Sequence, residues 1–105
     1  MKILDTFILD AEGNPVEEPD TARWGKWFQT HGDERIIEQT QIGSSTVSTV
    51  FLGLNHNFGP GLPILWETLV LGGALDGEMA RYSSRQAALA GHKVMCARVI
   101  LPPAS

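Results

Sequence analysis

Two apolar runs of strand length, residues 46–54 and 64–71, dominate the hydropathy of the chain and are joined by the Gly/Pro-rich segment Asn-His-Asn-Phe-Gly-Pro-Gly-Leu-Pro at 55–63. The first run is β-branched and apolar on both faces, which marks a central strand. In the second, alternation puts Trp66, Thr68 and Val70 on one face and Leu65, Glu67, Leu69 and Leu71 on the other. Residues 35–42 alternate more weakly, with Ile36 and Ile42 on one side and Ile37 on the other, and connect to the first run through a three-residue loop, Gly43-Ser44-Ser45. Two weaker strand signals lie outside this block. Residues 2–9 place Ile3, Phe7 and Leu9 on one side and meet a turn cluster at 10–15 before a short return at 16–18. Residues 78–82 read as one more short strand after the glycine pairs at 72–73 and 76–77.

The helical period appears twice. Asp20 or Thr21 caps a helix running to His31, with Gly32 as its stop. Trp24, Trp27 and Phe28 fall at i, i+3 and i+4 on it, an aromatic face that docks on the sheet or lends a Trp to a pocket or subunit contact. Ser83 with Gln86 three residues on forms a capping box. It opens a helix from 84 to 100 whose expected inner face holds Ala87, Ala90, Gly91, Val94, Met95 and Arg98. Pro102 and Pro103 end it. Strands followed by a long helix predict a single α+β domain over 1–105. Its antiparallel or mixed sheet has four to six strands, with the C-terminal helix packed on one face and a short Trp-bearing helix beside it.

Composition narrows the partners. The formal net charge of −4 comes without any block of Lys/Arg, so duplex DNA or RNA, whose affinity rests on neutralising phosphates, is excluded as an expected partner. A single cysteine, Cys96, allows no internal disulfide and fits a cytoplasmic location. No run reaches the roughly 18–20 apolar residues of a membrane span, and the first ten residues carry acids where a signal peptide would not.

The candidate chemistry is sparse. Glu67 stands on a leucine face, where a carboxylate must find a cation such as Arg81, Arg35 or Arg98, or meet a ligand. His56 lies in the glycine-rich loop after the central strand, as a base, a ligand contact or a loop-internal hydrogen-bond partner. His92 falls near the edge of the long helix's apolar face, as a packed side chain or a ligand. His31 complements the dipole at a helix C-terminus. No short-spaced His pair supports a metal among His56, Glu67 and His92, so neither metal nor cofactor is expected. Cys96 sits mid-helix, with no dipole to activate it. The glycines form no phosphate-binding loop.

The stretch VSTVFLGLNHNFGPGLPILWETLVLGG at 47–73, followed by DGE and by RYSSRQAALAGH at 81–92, resembles a family of small uncharacterised bacteriophage and prophage proteins. Its pattern runs VSTVFLGxxH, a Gly/Pro-rich loop, ETxxxGG, YS and GH, and here falls on 47–53, His56, Glu67-Thr68, Gly72-Gly73, Tyr82-Ser83 and Gly91-His92. The resemblance implies an accessory protein that acts by binding, inhibiting a bacterial host defence protein or sequestering a small nucleotide-like ligand, and it suggests a pocket shared by His56, Glu67, Tyr82 and His92. In that reading Arg81, Tyr82 and Trp24 supply charge and stacking, and the protein is a homo-oligomer in the host cytoplasm. The alternatives are a small hydrolase using Glu67 with His56 or His92, and a structural virion or assembly component.

Overall fold

The computed structural model describes residues 5–101. The part of the first expected strand that carries Ile3, and the terminal stretch with Pro102 and Pro103, lie outside them. The chain is α+β. Strands β1 (Phe7–Leu9) and β2 (Pro15–Glu17) form a two-stranded antiparallel ribbon. Helices α1 (Thr21–Thr30) and α2 (Gly32–Arg35) follow, then strands β3 (Ile36–Ile42), β4 (Ser45–Phe51), β5 (Trp66–Leu71) and β6 (Met79–Tyr82), and helix α3 (Arg85–Ile100). The last four strands make one antiparallel sheet in the order β3-β4-β5-β6, each paired with its sequence neighbour.

Alternation along the two apolar runs builds the inner face of this sheet. Val47, Thr49 and Phe51 of β4 and Trp66, Thr68 and Val70 of β5 are buried beneath α3. Two apolar clusters result. One joins Phe51, Leu65, Trp66 and Ala88; the other joins Val47, Val70 and Met95. Thr49, Thr68 and His92 form a polar layer between them, since each lies between the two clusters along its own element. The β1-β2 ribbon is stitched to the far end of β4, where the Phe7 N–H donates to Gly53 O at 2.8 Å. Gly53 has φ +77, and a Cβ there would come within 2.9 Å of the Phe28 ring. Only glycine tolerates both.

The short helix docks as its aromatic face predicts. Asp20 caps it, accepting from the Ala22 and Arg23 N–H groups. Trp27 meets Phe51 edge-on at 6.0 Å, and Phe28 lies between Trp24 and the Arg35 guanidinium. Gly32 does not stop the helical path. After His31 the chain makes the further turn α2, whose acidic first residues suit a helix start.

Three more expectations change. A bulge lies between Ile36 and Glu38, which oppose Val50 and Thr49, so Ile36 turns to the outer face while Ile42 stays inside; strict alternation cannot foresee an inserted residue. The hairpin loop is Gly43-Ser44 alone, because Ser45 already pairs with Ile42. The cap of α3 is Ser84, which accepts from the Ala87 N–H, and not Ser83.

Helix α3 is also rotated from its expected face. Ala88, His92 and Met95 are buried, whereas Ala87 and Ala90 are exposed and Val94 is 62% exposed. Two contacts set the phase. Gly91 lies against the Tyr82 ring, which a Cβ would overlap, and His92 finds hydrogen-bond partners for both ring nitrogens inside.

Candidate functional site

The polar layer is a continuous hydrogen-bonded chain. Tyr82 Oη donates to Thr68 Oγ1 at 3.1 Å, Thr68 Oγ1 meets Thr49 Oγ1 at 2.6 Å, Thr49 Oγ1 meets His92 Nδ1 at 2.7 Å, and His92 Nε2 meets Thr40 Oγ1 at 2.9 Å. It takes one residue from each strand of the four-stranded sheet and one from α3. Its direction follows from counting protons. Thr68 is fully buried and already accepts from Tyr82, so its own proton goes to Thr49. Thr49 then donates to Nδ1. The imidazole is therefore neutral with its proton on Nε2, donating to Thr40, and the Thr40 hydroxyl proton is left to point outward.

His92 is 3% exposed. Burial lowers its pKa below the usual 6.5, while the Glu38 carboxylate pulls in the opposite direction. The neutral form suits the chain, because an imidazolium would need acceptors at both nitrogens.

Thr40 opens onto a groove of about 570 Å³ between α3 and β3. Leu89, Ala97 and Ile100 give it apolar walls, and Glu38 and Lys93 stand on either element beside them. Among the described residues neither of these charges is in an ion pair. Cys96 lines the groove as a free thiol.

The remaining sequence-selected residues are placed apart from this chain. Glu67 lies on the opposite, outer face of the sheet, where its carboxylate accepts from Arg81 Nε at 3.0 Å across the β5-β6 pair. Of the leucines expected on its face, Leu69 is half-buried and Leu71 is 50% exposed, whereas Leu65, just before β5, is buried in the core cluster with Trp66. His56 donates from Nδ1 to Leu54 O at 2.8 Å and packs near Phe58, so its contacts stay within its own loop. Asn55 and Asn57 brace that loop through the Ile64 N–H, the Gly59 N–H and Leu62 O. Trp24 Nε1 is shared between Phe7 O and Gly53 O, which makes it an anchor for the ribbon. His31 closes α1, its backbone and Nδ1 both reaching Trp27 O.

Of the selected residues, the structure thus joins Tyr82 to His92, and Glu67 to Arg81, on opposite faces of one sheet. Among the described residues no three His, Cys, Asp or Glu side chains gather in a way that could hold a metal ion, and no helix is long and apolar enough to cross a membrane. Thr40, Thr49, Thr68 and Glu38 were not singled out from sequence. The available signal was a threonine at the inward position of each apolar strand, where only a buried polar partner makes its hydroxyl tolerable. No family model, curated protein or solved structure matches this chain.

Proposed function

We propose that this chain is an accessory protein of the bacteriophage or prophage kind that acts in the bacterial cytoplasm by binding a host protein, with the groove between α3 and β3 as its contact site. The supporting observation is the groove itself: apolar walls, one ammonium, one carboxylate and a hydroxyl at the floor, beside a buried histidine held by hydrogen bonds at both nitrogens. These are the ingredients of a protein contact, an apolar centre with a polar rim.

A nucleotide-like ligand is less well served. Phosphates call for several convergent donors or cations, and the groove offers Lys93 with an acid across from it. The groups first suggested for such a ligand are already occupied: Arg81 by Glu67, the Trp24 indole by two carbonyls, and the Tyr82 hydroxyl by Thr68. The hydrolase alternative would have to use Glu67, already paired with Arg81, with His92 from the opposite face of the sheet or with His56, whose Nδ1 is bonded to Leu54 O.

The test is to supply the chain in trans to bacterial strains that each carry one defined defence system, and to measure plating of a restricted phage. The expected result is at least a tenfold rise in one strain, abolished by Ala97→Trp, which fills the groove from an exposed helix position. No rise in any strain, together with thermal stabilisation by a nucleotide or cyclic dinucleotide, would replace the protein partner with a small ligand.

A further inference from the structure

Strand β3 is an edge strand. Its partner on one side is β4, and among the described residues no backbone group pairs with its other side. Two residues of this same strand, Glu38 and Thr40, line the groove. The two walls are of comparable length. Beyond the bulge, the regular part of β3 is Glu38–Ile42, four steps that span about 13 Å at the rise of a strand. The wall on α3 extends from Leu89 to Ile100, eleven steps that span about 16 Å at the rise of a helix.

An open strand edge beside an apolar channel of comparable length has a defined complement: an extended peptide that adds to the sheet through main-chain hydrogen bonds and drops alternate side chains into the channel. We propose that the groove captures an extended segment of the partner protein as a fifth strand on β3, with apolar side chains at alternate positions against Leu89, Ala97 and Ile100. This rests on the reading of the chain as a protein-binding module and names how the partner is held.

Charge sets the preference further. The Glu38 carboxylate lies on the edge strand itself and the Lys93 ammonium on the helix wall, and neither is in an ion pair among the described residues. The captured segment therefore carries a basic residue beside Glu38 and an acidic or polar one on the Lys93 side. Central prolines are excluded from it, because a proline offers no N–H to the edge. The outward proton of Thr40 supplies one more donor at the groove floor, for a carbonyl or hydroxyl of the segment.

The test selects nine-residue random peptides by mRNA display against the folded chain, then maps the winners by amide chemical shifts. Enriched peptides are expected to share apolar residues at every second central position and to lack central prolines. They should perturb the amides of 38–42 and of 89–100, and bind at least tenfold more weakly to Ala97→Trp. N-methylation of alternate amides on the bonding side should abolish binding, while N-methylation of the intervening amides should not. Three results would overturn strand addition: no enrichment, shifts confined to the 55–63 loop or the outer sheet face, or indifference to N-methylation. A host-protein effect in the plating assay that persists beside any of these would leave the binding-module reading standing without this mode. Loss of both would remove the two together.

Discussion

The Thr49 hydroxyl lies 2.6 Å from Thr68 Oγ1 and 2.7 Å from His92 Nδ1 with no exposure to water, and the proton count has it accept from the first and donate to the second. A residue in the middle of such a chain is worth more than one at its end, because its loss orphans a partner on each side. Thr49→Val keeps the shape and leaves both the Thr68 proton and His92 Nδ1 unpartnered, so unfolding should become easier by about 1–3 kcal/mol. Tyr82→Phe removes a donor at the head of the chain and leaves every other proton placed, so its cost should be nearer about 1 kcal/mol. Urea denaturation of the two variants checks the order, and a larger loss in Tyr82→Phe would reverse the assigned direction. The sequence displayed the threonines but not their role. Thr68 reads correctly as facing with Trp66 and Val70, yet nothing local tells that a histidine 24 positions later completes its network. His92 falls near the edge of the expected helix face by its position on the wheel, and the packed, hydrogen-bonded reading of it holds, with both ring nitrogens satisfied inside.

Helix α3 meets the sheet through Gly91, where the Tyr82 ring occupies the space a side chain would take. In an isolated helix, Gly→Ala is favourable by about 1 kcal/mol. Here the methyl must displace the ring and lengthen its bond to Thr68, and overpacking of this sort costs about 1–3 kcal/mol. Gly91→Ala should therefore destabilise the protein despite its better propensity, and the loss should shrink in a Tyr82→Leu background. Equal effects in both backgrounds, measured as a double-mutant cycle, would show that the two positions do not touch energetically. At this scale the strands were the most legible part of the sequence, since Trp66, Thr68 and Val70 alternate cleanly. The helix phase was not, because Val94, Ile100 and the alanines put apolar groups on several sides of α3. The bulge at Ile36–Glu38 and the extra turn α2 were invisible to periodicity as well, each being a departure from a period.

The whole molecule is two layers with a polar seam through its core, and that seam ties stability to pH. His92 titrates below the usual 6.5 in the folded chain because burial disfavours its charge. In the unfolded chain it takes up its proton near the ordinary value. The unfolded state therefore binds more protons between the two, and stability rises with pH across that interval. The His92 contribution is complete above about 6.5 and declines as the pH falls below it. Thermal unfolding compared at pH 7.5 and 5.5 should show a drop in Tm that is smaller in His92→Gln. An unchanged drop in that variant would assign it to other groups. The α+β class was legible from strand and helix periods alone. The division of the candidate residues between two faces was not, because register decides it and no residue announces its register.

The seam has one further property. It begins at Thr40 on the groove floor and ends on Tyr82, the only tyrosine in the sequence, having crossed all four strands on the way. The hydroxyls of Thr49 and Thr68 are fully buried, so their protons should exchange slowly enough to persist as separate resonances in water. The single phenol gives one set of ring resonances when tyrosine alone is isotopically labelled, clear of the three tryptophans that would dominate an optical signal. Occupancy at one edge of the sheet thus has a native reporter at the other, and strand addition at β3 can be followed there without attaching a dye.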